Sequence, residues 1–120
     1  MRKRILVIDD DHIYCSILKK ILGSDYDVTC TENSTNAIEI INRVLVPDLI
    51  IADLNLLDVK GLEFIKLLMS KINGLNTSVI VISGFDDEQI KSDIVEMGVS
   101  KYFVKPIERF YLKQEIDCLL

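Results

Sequence analysis

The stretch "KRILVIDDDH", residues 3–12, drives an apolar run into three adjacent acids, Asp9, Asp10 and Asp11. Neighbouring carboxylates repel, and burying them unpaired is costly or raises their pKa values. They are therefore either solvated or gathered around something positive. Three later apolar runs also stop on polar residues: "LIIAD" on Asp53, "VIVISG" on Ser83 and Gly84, and "YFVKP" on Lys105 and Pro106. A carboxylate cluster of this kind needs a cation. Mg²⁺ suits it best, since it prefers oxygen ligands, keeps several waters and takes one or two protein carboxylates. No cysteine pair or well-placed histidine offers a zinc site, and His12 reads as a solvent-facing helix residue.

Each of these residues has a plainer role when taken alone. Asp11 suits a helix N-cap, which is the reading favoured for it. Asp53 suits a turn, Ser83 could satisfy a local backbone group, and Lys105 could lie on the surface. Whether they meet depends on the elements that carry them.

Five apolar runs recur along the chain: Ile5–Ile8, Val28–Cys30, Leu49–Ala52, Val79–Ile82 and Tyr102–Val104. "ILVI", "LIIA" and "VIVI" are rich in β-branched residues and do not alternate, as expected of strands covered on both faces. Between them lie segments with helical spacing. The first is read with one apolar face made of Ile13, Ile17 and Ile21 with Leu18 and Leu22. The second carries Ile38, Ile41 and Leu45, and the third Leu62, Ile65, Met69 and Ile72. Ile90, Ile94 and Met97 mark the fourth, and Leu112, Ile116 and Leu119 the fifth. Gly23, Gly74 and Gly98 fall where C-terminal caps belong, and Asp86 with Gln89 predicts a capping box for the fourth helix.

Strict alternation of five strands and five helices predicts an α/β domain with a parallel sheet and right-handed crossovers. A flavodoxin-like doubly wound (βα)5 sheet with strand order 2-1-3-4-5 is expected. Ligands of such sheets bind beyond the C-terminal strand ends, near the switch in strand order. That rim collects at least three carboxylates, a hydroxyl and an ammonium. The second strand offers only Thr29 and Thr31.

At 120 residues the chain is long enough for one domain with a genuine core, and residues 1–120 are read as a single unit. A net charge of −5 argues against direct nucleic-acid or anionic-membrane binding. Three cysteines without C-x-x-C spacing are neither a disulfide framework nor a zinc site, and each is expected to be a small buried hydrophobe. No secretory signal or spanning apolar stretch is visible, so a cytoplasmic location is expected.

The acid pair in "VIDD", the Asp of "IIADLN", Gly61, "VIVISG" and "GVSKYFVKP" together resemble the receiver domain of two-component response regulators, the CheY-like superfamily. The likeness covers essentially the whole chain in order and spacing. It implies that Asp53 is the phosphoacceptor, attacking the phosphorus of a phosphohistidine on a sensor histidine kinase or phosphotransfer protein. Asp10 and Asp53 would bind Mg²⁺ directly, the Asn55 backbone carbonyl would be a third ligand, and Asp9 would act through a water. Ser83 and Lys105 would hold the phosphoryl oxygens, Gly84 would keep access open, and the Lys105–Pro106 peptide would be cis. Tyr102 would swing inward as Ser83 moves, altering the surface of the fourth helix, fifth strand and fifth helix for an output domain, a downstream protein or a homodimer.

The chain departs from the family pattern in the loop "LNLLDVKG", where Leu56 and Leu57 replace a common methionine–proline pair and Lys60 a frequent acid. Phe85 is expected to shield the phosphoaspartate from water. Two rival readings stand beside this one. A haloacid-dehalogenase-type phosphatase would use the D-x-D of Asp9 and Asp11, but downstream acids Glu108, Glu115 and Asp117 fall on the last helix. A receiver-like module working without phosphorylation would need none of the acid set. Met1 reads as a native start, leaving either a stand-alone receiver or the N-terminal part of a longer regulator. Phe110 and Tyr111 either face a partner or pack locally.

Overall fold

Alternation along the central strands decides the layering. The computed structural model describes residues 2–43, 46–54, 61–84 and 86–120. Its strands are β1 (Arg4–Ile8), β2 (Asp27–Thr31), β3 (Leu49–Asp53), β4 (Ser78–Ser83) and β5 (Lys101–Val104). They alternate with α1 (His12–Leu22), α2 (Ser34–Arg43), α3 (Gly61–Lys71), α4 (Glu88–Glu96) and α5 (Arg109–Leu119). All strand pairs are parallel, in the order β2-β1-β3-β4-β5, as expected of a doubly wound sheet.

Because successive strand residues point to opposite faces, Ile5 and Val7 join Leu49, Ile51, Ile80 and Ile82 on one side. There they pack against Cys15, Leu18 and Leu22 of α1 and Leu112 and Ile116 of α5. Leu6, Ile8, Ile50, Ala52, Val79 and Val81 face the other way, toward Ile41 of α2, Phe64, Ile65 and Leu68 of α3, and Ile94 of α4. Each buried Val, Leu or Ile among these stabilises the fold by about 1.5–3 kcal/mol relative to exposure. The double-sided core explains why the strand sequences lack polar alternation.

Register carries this order to the rim. Ile8 aligns with Ala52, Ala52 with Val81, and Ser83 with Val104, so β1, β3, β4 and β5 end at nearly one level.

Several helix details differ from expectation. Ile13 is 75% exposed and Ile17 is exposed too, whereas Cys15, Leu18 and Leu22 are buried. At about 100° per residue the buried trio clusters on one face, and Ile13 lies opposite it. Leu62 is likewise exposed, and α3 buries Phe64 and Leu68 beside Ile65. The N-cap of α4 is Asp87 rather than Asp86: its carboxylate accepts from the Gln89 and Ile90 N–H groups, while the Gln89 amide turns to Asp93. Of the cysteines, Cys15 is buried, Cys30 half-buried and Cys118 exposed, which corrects the expectation for the last.

Gly98 closes α4 at φ +101, a conformation open to glycine without strain. Gly61 opens α3 for a different reason: a Cβ there would run into the Leu54 carbonyl and side chain. Among the described residues no helix is long and apolar enough to cross a membrane.

Candidate functional site

β1 delivers Asp9 to the rim as a buried residue, its N–H donating to the Thr31 carbonyl of the neighbouring strand at 3.0 Å. One Asp9 oxygen accepts from the Asp11 N–H at 2.9 Å. The other accepts from the Lys105 ammonium at 3.0 Å. Asp53, the last residue of β3 and also buried, receives the same ammonium at 3.2 Å on Oδ2. Asp10, half-exposed, completes the group: carboxylate oxygens of Asp9, Asp10 and Asp53 all lie within 4.8 Å of one another.

Electrostatics follow from this crowding. Burial raises the Asp9 carboxyl above the usual carboxylate range, against the lowering pull of the Asp11 N–H and Lys105. For Lys105, burial lowers the ammonium pKa, but its bonds to Asp9 and the fields of Asp9 and Asp53 outweigh that and leave it raised. The side chain is 24% exposed, so its head sits at the mouth of the acid pair.

Of the other expected residues, Ser83, Gly84 and Pro106 lie at this rim. Ser83 ends β4 fully buried, and its carbonyl accepts from the Lys105 N–H at 2.7 Å, locking β5 onto β4 just above the acids. Gly84 follows it in an exposed position, and the Lys105–Pro106 peptide is cis. Tyr102 is 9% exposed and belongs to the layer of α4, with Ile94 and Val99. Asn55, Phe85, Leu56, Leu57 and Lys60 lie outside the described residues.

Asp11 is the N-cap of α1, accepting from the Ile13 and Tyr14 N–H groups at 3.0 and 3.2 Å, as expected. His12 is exposed and pairs with Glu32 at 3.1 Å. Sequence reasoning missed Tyr14. Its ring centroid lies 4.7 Å from the Lys105 Nζ, and burial pushes its phenol up to about 12. Placement three residues after the α1 cap was the available signal, since that turn opens beside the acids.

The acids that a dehalogenase-type phosphatase would require are otherwise engaged. Glu108 caps α5 through the Tyr111 N–H, Glu115 accepts from the Tyr111 hydroxyl, and Asp117 pairs with Tyr26 and Lys113. The chain matches the response regulator receiver domain family over residues 5–117. It belongs to that family.

This receiver is 35% identical to the transcriptional regulatory protein KdpE of Staphylococcus aureus over 118 residues, covering 97% of the chain and 49% of the relative. It is 30% identical to the transcriptional regulatory protein ZraR of Klebsiella oxytoca over 107 residues, covering 87% of the chain and 23% of the relative. The chain thus spans half or less of these relatives. Among solved structures, a CheY-like response regulator receiver domain protein from Methanospirillum hungatei superposes with TM-score 0.88 at 24% identity, covering 99% of this chain and 94% of that one. Chemotaxis response regulator CheY4 of Vibrio cholerae gives 0.86 at 20% identity over the full length of both. These likenesses establish the fold of the receiver, a two-component signalling domain.

Among the described residues the donor set of the receiver is oxygen only, three carboxylates on one rim with a single ammonium. That is the chemistry of a hard divalent ion with water-filled positions, so the residues fit Mg²⁺.

Proposed function

We propose that residues 1–120 act as one phosphoacceptor unit, taking a phosphoryl group from a histidine kinase or phosphotransfer protein onto Asp53. The observation that carries the reading is the Lys105 ammonium shared between Asp9 and Asp53, with Asp10 completing the acid cluster. Asp10 and Asp53 would hold Mg²⁺ directly, with the Asn55 carbonyl as a further ligand and Asp9 acting through a water. When bound, the ion withdraws charge from the phosphoryl oxygens.

A carboxylate oxygen of Asp53 attacks phosphorus as the P–N bond of the donor imidazole breaks, its electron pair returning to the ring nitrogen. The product is an acyl phosphate. Such transfers depend mainly on positioning and on charge stabilisation. Lys105 supplies a cation already aimed at Asp53, and the Ser83 hydroxyl receives the new oxygens one strand away.

Phosphorylation raises the charge on this side chain to about −2. Rearrangement of Ser83 and Tyr102 then alters the face of α4, β5 and α5. Phe110 and Tyr111 are exposed on α5, Tyr111 edge-on to Phe103, and would offer apolar area to an output domain, a downstream protein or a second copy. A partner shifts the two states only by its differential affinity. With the chain matching half of KdpE, control of an attached transcriptional output in the cytoplasm is the fitting context. Direct nucleic-acid or membrane binding by this domain is not part of the proposal.

Intact mass after incubation with acetyl phosphate and Mg²⁺, beside Asp53→Asn, tests this. The parent is expected to gain one labile phosphoryl group and the variant none. Mg²⁺ binding without any phosphoryl gain would sink the proposal and favour a phosphorylation-independent binding module.

A further inference from the structure

Tyr14 carries an awkward group. Its hydroxyl is shut away from solvent and has no hydrogen-bond partner among the described residues. A phenylalanine or leucine would fill the same place against the α1–α5 layer without stranding a polar atom. The feature of Tyr14 that does meet a partner is its ring face, 4.7 Å from the Lys105 Nζ.

Lys105 needs such a support. Its ammonium rides on a flexible four-carbon stem and is partly open to water. Asp9 and Asp53 hold it from the side of the acids, and nothing in those two contacts prevents it from tilting outward. An aromatic face attracts a cation through its quadrupole while adding no net charge. It therefore restrains the ammonium without neutralising it, whereas another carboxylate would compete with an incoming anion.

We infer that Tyr14 is a positioning residue for phosphoryl transfer, its ring holding the Lys105 ammonium at the mouth of the Asp9–Asp53 pair. This rests on the phosphoacceptor reading above.

The test compares Tyr14→Phe, Tyr14→Leu and Tyr14→Met with the parent, each checked for folding by circular dichroism. Two quantities are read: the rate of phosphoryl gain from acetyl phosphate, and the proton shifts of the Lys105 ε-methylene by NMR. A ring face above that methylene moves its protons upfield, which a merely space-filling side chain does not do. Parent and Tyr14→Phe are expected to share the upfield shift and the rate. Tyr14→Leu and Tyr14→Met are expected to lose the shift and slow about fivefold. Parental rates in both aliphatic variants, or a Tyr14→Phe as slow as they are, would overturn the inference. A parent that takes up no phosphoryl group removes the phosphoacceptor reading and the positioning role with it. The ε-methylene shift then still reports whether the contact itself exists.

Discussion

Tyr26, just before β2, donates its hydroxyl hydrogen to Asp117 in the last turn of α5, joining segments 91 residues apart. Lys113 lies 2.9 Å from both Asp117 and Asp25 and extends the link. The Tyr26 bond, followed by Lys113, holds the Asp117 carboxyl below the usual carboxylate range. Burial and the same bond push the Tyr26 phenol up to about 12.

A pH dependence follows from Asp117. Its folded pKa lies below the unfolded one, so its contribution is present above the unfolded value and fades as pH falls through the folded value. Asp117 is 45% exposed, and solvent screening keeps the effect small. In urea titrations, Asp117→Asn should lower the midpoint modestly at pH 7, and the difference from the parent should shrink as the pH falls below the usual carboxylate range. A gap that persists at low pH would show that the carboxylate charge is not what links the two segments.

Metal binding should register as stability. With Mg²⁺ at ten times its Kd, the parent should gain about 1.4 kcal/mol. Asp10→Asn should abolish that gain, since Asp10 stands outside the Lys105 ion pairs and contributes mainly to the cluster. Thermal melts with Mg²⁺ and with a chelator decide the matter. An undiminished Mg²⁺ response in Asp10→Asn would place the ion elsewhere.

Gly61 should resist enlargement. A Cβ there would meet the Leu54 carbonyl oxygen and come within 2.6 Å of Leu54 Cδ1. Relieving that overlap should cost Gly61→Ala about 1–3 kcal/mol. Since Leu54 directly follows Asp53, phosphoryl uptake should fall as well. Unchanged unfolding and uptake would mean that α3 can move aside freely.

Much of this was legible in the residues, for physical reasons. Runs such as "VIVI" announce strands buried on both faces, and polar residues ending four such runs announce a rim. The α1 face was not legible, because apolar residues occur on both sides of that helix and periodicity alone does not say which side meets the sheet. Asp86 and Asp87 are adjacent acids, either able to cap, and only backbone conformation distinguishes them: Asp87 has the extended φ of −114 and ψ of 120. The ring of Tyr14 beneath Lys105 joins α1 to the residue just past β5, a contact set by how the layers pack and by no local pattern.

The order of charges along the chain also bears on how the protein is made. Asp9, Asp10 and Asp53 leave the ribosome before Lys105, which follows Asp53 by 52 residues. A nascent chain that has paired β1, β3 and β4 therefore gathers three carboxylates before the ammonium that pairs with Asp9 and Asp53. Their repulsion opposes early closure of the half-made sheet, and Lys105, just past β5, brings a partly offsetting charge when that strand docks at the edge. Chains truncated at residue 100 should accordingly be digested rapidly by protease, while those that include β5 and α5 resist it.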